Sequence, residues 1–379
     1  MARPAARQSA AGLGLARALP CGYLRLMTGR ALDQSSPRKW VALWLFSVAG
    51  LVALMVVVGG LTRLTDSGLS ITSWKPIHGA LPPLSLAEWE DEFEAYRQIP
   101  EYQKINKGMS LEEFKTIFWW EWGHRNLGRL IGLAYALPLL VFWWRGQIAS
   151  AWWPWLLGLL FLGGLQGFVG WWMVASGLTE RTDVSQYRLV THLTLALVIF
   201  CGLLWMAYRV LGFEAAQSMR ALAQRNWVFG FLALVFVQIM LGGLVAGTDA
   251  GMTYNTWPLM DGKVIPDGLW AQAPWWLNPF ENITQIQFNH RLGGYAVAIA
   301  AVLLWWRIRK ARDQRASRLA DIMLATVGAQ VLIGIATLIA VMPVWLAAMH
   351  QFGAVLVLAA TVTLAAALAP VHSTQKPIS

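Results

Sequence analysis

Eight apolar runs, each long enough to cross a bilayer, govern what this chain can fold into. They occupy residues 40–61, 117–144, 152–175, 187–209, 227–247, 283–306, 319–341 and 345–369. A helix needs roughly 20 residues to span the hydrocarbon core. Backbone N–H and C=O groups cannot stay open in lipid, so runs of this length are helices. The alternation of an outer-membrane barrel strand is absent. The expected fold is therefore an all-α polytopic membrane protein with eight transmembrane helices. Composition agrees: 57% of the 379 residues are hydrophobic and 13% charged. That is too little charge to cover a soluble domain of this size. Many of the 23 tryptophans sit where a run ends, among them Trp40, Trp143, Trp144, Trp152, Trp153, Trp227, Trp305 and Trp306. Indole rings favour the membrane–water interface, and these form an aromatic belt.

Lys and Arg set the orientation. Residues 1–39, 145–151, 209–226, 307–318 and 370–379 together carry a net charge of +15, whereas the loops 62–123 and 248–282 carry −7. The first set is expected in the cytoplasm, with both termini. The net charge of +10 is then a matter of topology, and no nucleic-acid partner is expected. Residues 1–39 are Arg-rich with one acid, Asp33. That suits either a basic cytoplasmic tail in a bacterial inner membrane or a mitochondrial presequence. Cys21 and Cys201 lie in that tail and in an apolar run, so neither a disulfide nor a thiolate metal site is expected. In the large outer loop, 62–116, Leu86, Trp89, Phe93 and Tyr96 follow helical spacing, which predicts an amphipathic helix over 85–96 at the membrane surface. Ser110-Leu-Glu-Glu113 resembles a capping box opening another short helix.

The chain repeats itself. Gly59-Gly-Leu-Thr-Arg-Leu-Thr-Asp-Ser-Gly68 matches Gly242-Gly-Leu-Val-Ala-Gly-Thr-Asp-Ala-Gly251 at six of ten positions, and Trp74 aligns with Trp257 at the same offset of 183. His124-Arg125 aligns with His290-Arg291, Gly128 with Gly294, and Gln166 and Gly170 with Gln330 and Gly334. The expected organisation is two four-helix bundles, 40–210 and 227–369, related by a pseudo-twofold axis along the membrane normal. A linker, 211–226, joins them, and a tail, 370–379, follows.

Of six histidines, His78 is in the outer loop and His372 in the tail. The other four, His124, His192, His290 and His350, fall in every second apolar run, five to seven residues from its outer start. At 1.5 Å per residue they share one level in the outer leaflet. Imidazole in lipid is costly without a partner or ligand. Two imidazoles facing across a bundle suit six-coordinate heme iron, with apolar walls covering the macrocycle. Zinc fits less well, because no carboxylate or thiolate completes a tetrahedral set in the second half. Arg125 and Arg291 each follow a helix histidine and are candidates to pair with heme propionates.

The halves differ at one ionisable position. Glu121 precedes His124 by three residues and shares its helix face, whereas the aligned residue in the second half is Gln287. A carboxylate beside a heme edge can act as a base or stabilise developing positive charge. An electron-transfer heme needs neither. Chemistry is expected in the first pocket and a fixed redox cofactor in the second.

Over about residues 40–369 the chain resembles the heme A synthase family, closest in style to its proteobacterial and mitochondrial branch. The resemblance is carried by Gly59-Gly-Leu-Thr-Arg-Leu-Thr-Asp-Ser-Gly-Leu-Ser70, Trp74-Lys-Pro76, Glu112-Glu-Phe-Lys115, Glu121-Trp-Gly-His-Arg125, Thr191-His192, Asn289-His-Arg291 and His350-Gln351. It implies an oxidoreductase that converts the C8 methyl group of heme O to the formyl group of heme A for cytochrome oxidase. It further implies that His290 and His350 ligate a heme b cofactor, that His124 and His192 form the substrate heme site, and that Glu121 is the catalytic carboxylate. Heme O synthase and an electron acceptor are the implied partners beside lipid, and a homo-oligomer stays open. Some relatives carry a cysteine pair in an outer loop; the outer loops here have none. The rival reading of the same four histidines is a diheme b-type membrane cytochrome. Arg63, Lys75 and His78 are outer-loop candidates near the first pocket.

Overall fold

The computed structural model describes residues 35–75, 78–213 and 215–369. The basic segment before residue 35 with Cys21, the tail with His372, and Pro76 lie outside the described residues. Ten helices carry the argument: α1 (Ser35–Leu64), α2 (Leu86–Arg97), α3 (Pro100–Lys104), α4 (Leu111–Trp144), α5 (Trp153–Val174), α6 (Gln186–Leu211), α7 (Arg225–Gly247), α8 (Ile283–Lys310), α9 (Gln314–Ile339) and α10 (Val344–Ala367). Eight of them, all but α2 and α3, are long and apolar enough to cross a membrane. Among the described residues the only extended pairing is an isolated bridge between Met260 and Lys263.

Local sequence explains the ends. Ser85 and Glu88 form a capping box on α2, and Ser110 and Glu113 form one on α4. Asn282 caps α8 by accepting from the N–H groups of Thr284 and Gln285. Asp313 caps α9 from the Ala316 N–H and also accepts from the Gln217 and Ser218 N–H groups, which ties the linker to the second half. Gly212 ends α6 in the left-handed conformation at φ 69°, a common helix stop that favours glycine.

The capping box at Ser110 opens no separate short helix. α4 runs unbroken to Trp144, because its outer extension has a partner: Phe114 and Phe118 are buried against α2. Phe93 stacks on Phe114 with centroids 4.8 Å apart, and Trp89 meets Phe118 edge-on at 4.9 Å. The aromatic stripe of α2 is thus buried against protein, with Phe93 and Tyr96 inside. Each such side chain contributes about 1.5–3 kcal/mol of burial.

α1, α6, α7 and α10 form the centre, where α6 contacts α7 and α10, and α1 contacts α10. α4, α5, α8 and α9 stand outside them. Half of the apolar window is buried in α6 and α10 but 11% in α4 and α5, so the outer four present apolar surface outward, as lipid requires. The contacts of one half recur in the other: α1 with α4 and α6 as α7 with α8 and α10, and α5 with α6 as α9 with α10. Small residues permit close approach at the seam. The Gln351 amide of α10 lies over Gly60 of α1 and donates to the Val56 carbonyl at 2.8 Å. At the repeat-related place Leu193 of α6 lies against Gly243 of α7.

Candidate functional site

The four helix histidines are half-buried or better, and each faces a glycine of the neighbouring helix. A Cβ on Gly59 would stand 3.1 Å from Nε2 of His124, and one on Gly242 would stand 3.0 Å from Cε1 of His290. On Gly170 it would stand 2.9 Å from Cε1 of His192, and on Gly334 2.7 Å from Cε1 of His350. No side chain fits in those gaps, so glycine is what lets each imidazole cross to the next helix. His192, His290 and His350 lie six or seven residues into α6, α8 and α10. His124 lies thirteen residues into α4, because that helix carries the outer extension.

In the second half the rings of His290 and His350 meet at a centroid distance of 6.4 Å and an interplanar angle of 86°. Two metal–imidazole bonds of about 2 Å, with the ring centres just behind the nitrogens, give a spacing of about 6 Å. Among the described residues no three His, Cys, Asp or Glu side chains gather to hold a bare metal ion. A pair of imidazoles suits instead an iron that brings its own equatorial nitrogens, as heme does. The residues present fit a heme on this ground, and the repeated glycine contacts extend the fit to His124 and His192.

Above the first pocket sits Glu121, only 2% exposed. Its Oε2 accepts from the Ser70 hydroxyl at 2.8 Å and the Ile71 N–H at 2.7 Å. Its Oε1 accepts from Arg125 Nε at 3.0 Å and Nη2 at 2.6 Å. Arg125 also donates to the carbonyls of Ile71 and Ser73. The second half repeats the clamp with one exchange. Arg291 donates to the carbonyls of Tyr254 and Thr256, the repeat positions of Ile71 and Ser73. Gln287 donates to the Tyr254 carbonyl at 3.0 Å, where Glu121 accepts from the Ile71 N–H. The Glu/Gln difference therefore marks two equivalent clamps, one with a carboxylate and one without. Both guanidinium groups, expected to face propionates, are largely engaged with protein acceptors.

Outside Arg125 opens a cavity of about 340 Å³, lined by Lys75, His78, Arg125 and Arg129 with Glu88, Asp91 and Glu92. Lys75 and His78 thus belong to the region over the first pocket. Arg63, one turn after Gly59, does not line that cavity; it pairs with Asp66 at 2.9 Å and reaches across to Asp249 of the second half at 3.1 Å.

Two features escaped the sequence reading. The histidine–glycine contacts were signalled by the repeated Gly59/Gly242 and Gly170/Gly334. Gln238, which stands 3.1 Å from Nδ1 of His290, was not signalled, because its repeat position is Met55.

Residues 42–362 match the family of cytochrome oxidase assembly proteins. The chain is 54% identical over 324 residues to a heme A synthase of Chelativorans sp. (strain BNC1), covering 85% of this chain and 89% of the relative. It is 50% identical over 341 residues to that of Agrobacterium fabrum, covering 89% and 93%. It is 52% identical over 317 residues to that of Parvibaculum lavamentivorans, covering 84% and 91%. With two glycine-facing helix histidines in each half and these relatives along nearly its whole length, the chain belongs to the heme A synthase family of cytochrome oxidase assembly proteins.

Proposed function

We propose that this protein oxidises the C8 methyl group of heme O to the formyl group of heme A, in a bacterial inner membrane with both termini in the cytoplasm. The observation that carries the reading is the pair of matched clamps, Glu121 with Arg125 and Gln287 with Arg291, of which one alone holds a carboxylate. His124 and His192 would hold the substrate heme, with its long tail free to lie in lipid between the outer helices. The conversion removes four electrons and four protons from the methyl and one water, which supplies the oxygen, and an external acceptor takes the electrons. Glu121 would place fixed negative charge beside the methyl as they leave, the kind of preorganised stabilisation that costs no reorganisation during reaction. Ser70, Ile71 and Arg125 hold that carboxylate in place. Arg125 and Arg129 line the outer cavity, where the propionates of a heme would meet positive charge. His290 and His350 would hold heme b, which supplies a one-electron carrier when bound. A protein that only carried electrons would need no such carboxylate.

The test is pigment analysis of the purified protein with His124→Ala and His290→Ala. Heme b is expected to be lost from the second variant and retained by the first, with heme A formation abolished in the first. Retention of heme b by His290→Ala would overturn the pocket assignment.

A further inference from the structure

Two of the four histidines have a glutamine at the ring, and a third has one at its backbone carbonyl. Gln166 Nε2 stands 3.1 Å from Nδ1 of His192, 3.3 Å from its Nε2, and donates to the His192 backbone carbonyl at 3.1 Å. Gln238 Nε2 stands 3.1 Å from Nδ1 of His290 and donates to the His290 carbonyl at 3.0 Å. Gln330 Nε2 donates to the His350 carbonyl at 2.8 Å. The amides of Gln238 and Gln330 seat on Gly293 and Gly353, where a Cβ would fall 2.0 Å from each Oε1. Each of these two glycines lies one turn after its histidine, so the helix surface is cut to receive an amide.

These groups are incompletely satisfied as they stand. The side-chain oxygens of Gln166, Gln238 and Gln330 are buried without a hydrogen-bond partner among the described residues, and so is Nδ1 of His350. A buried polar atom left unpaired costs about 1–3 kcal/mol. An imidazole that binds metal through Nε2 carries its proton on Nδ1, and that proton needs an acceptor. A half-turn of a carboxamide about its last bond exchanges nitrogen and oxygen. For Gln238 it puts the unpartnered oxygen within reach of Nδ1 of His290, and it gives up the donation to the His290 carbonyl, from which the oxygen must then draw back.

The fourth histidine lacks this partner. The repeat position of Gln238 is Met55, whose methyl lies 3.4 Å from a Cβ on Gly128, as the Gln238 amide lies 3.7 Å from one on Gly294. A thioether is at most a weak acceptor.

We propose that Gln166, Gln238 and Gln330 are positioning residues whose side-chain oxygens accept a hydrogen bond from the Nδ1–H of an iron-bound histidine, and that His124, with Met55 in place of the amide, is the ligand released when substrate heme exchanges. The inference rests on the assignment of His290 and His350 to the cofactor and of His124 and His192 to the substrate. Under it the retained heme has both ligands anchored, while the heme that must leave has one. An anchored Nδ1–H also makes its imidazole more basic and favours ferric iron.

The test uses the full chain purified with heme b. Gln238→Leu and Gln330→Leu are expected to raise the midpoint potential of that heme, to change its ferric electron-paramagnetic-resonance g-values, and to weaken its retention about 10-fold or more. Gln238→Glu keeps an acceptor and is expected to return the potential to the parent value or below it. Unchanged potential and g-values in the Leu variants, or a Glu variant that behaves like the Leu variant, would overturn the role of the amides. Met55→Gln supplies the missing acceptor and is expected to tighten ferric heme O binding while slowing turnover, so that KM and kcat fall together. Unchanged heme O affinity in that variant would overturn the release at His124. Failure of the pocket assignment shows separately, as heme b retained by His290→Ala.

Discussion

Glu121 and Arg125 form an ion pair across one turn of α4, its carboxylate buried and its guanidinium partly so, in which Nε and Nη2 of the arginine converge on the same carboxylate oxygen at 3.0 and 2.6 Å. The second oxygen is taken by Ser70 and Ile71. A carboxylate held by four donors is fixed in position. Its counterpart shows how little of this the fold requires, since Gln287 is equally buried and holds the equivalent segment by donating to Tyr254.

Glu121→Gln therefore installs in the first clamp the residue already tolerated in the second. The variant is expected to insert, fold and retain heme b at the parent stoichiometry. It is also expected to form no heme A in cells that supply heme O. Pigment extraction and separation by mass reads both outcomes at once, and normal heme A from this variant would remove Glu121 from the chemistry.

Arg125→Ala has a different consequence. It leaves Glu121 buried without its counter-charge, a loss of about 3–5 kcal/mol for a buried pair broken on one side. Arg291→Ala removes donations to the carbonyls of Tyr254, Thr256 and Leu259 but strands no carboxylate. Hydrogen bonds from a charged group contribute about 1.5–3 kcal/mol. Arg125→Ala is thus expected to melt at lower temperature than Arg291→Ala in detergent. Equal melting would mean that the Glu121 charge is stabilised by other groups.

What was legible in the chain follows from this symmetry. Eight spans could be read because lipid tolerates few alternatives to long apolar helices, and the histidines because ionisable groups stand out in such runs. The Glu121/Gln287 exchange was legible because the repeat supplies its own control. The internal comparison failed where the halves diverge without charge, as at Met55 and Gln238. It also gave no hint that α4 would extend outward to Leu111, because that extension depends on Phe93, Tyr96, Phe114 and Phe118 finding one another across the outer loop. Arg125 facing Glu121 was hidden for the opposite reason: i, i+4 spacing permits an ion pair, but only the fold of residues 70–73 over the helix commits both partners to it.

The glycines facing the histidines make a paired prediction. In the second half Gly334→Ala would press a methyl to within 2.7 Å of the His350 ring and Gly242→Ala to within 3.0 Å of the His290 ring. Overpacking of this kind costs about 1–3 kcal/mol. Either ring must then move from its present place 6.4 Å from its partner. Heme b per protein, measured as the pyridine complex, is expected to fall in both variants. Gly59→Ala and Gly170→Ala crowd His124 and His192 instead, and are expected to leave heme b intact while heme A formation falls. Loss of heme b from all four alike would mean that the glycines pack the bundle as a whole and serve no individual ring.

The outer loop carries its own pH dependence. Glu101, 5% exposed at the start of α3, accepts from the Tyr96 hydroxyl at 3.3 Å, and Tyr96 in turn accepts from Asn106 at 2.8 Å. Burial drives the Glu101 carboxyl up from 4.5 to about 8, against the lowering effect of the Tyr96 hydrogen bond. Below pH 4.5 the group is protonated whether the segment is folded or not, and its titration contributes no pH dependence. Between pH 4.5 and 8 the unfolded segment releases a proton that the folded one keeps. Unfolding is therefore favoured progressively as pH rises through that window and levels off above it. Hydrogen exchange of α2, α3 and the start of α4 is expected to be slowest near pH 5, after correction for the intrinsic pH dependence of exchange. Glu101→Gln, which can still accept from Tyr96, is expected to flatten the profile and protect the segment at pH 8. A parent profile already flat between pH 5 and 8 would mean that Glu101 is solvated when the protein sits in the membrane.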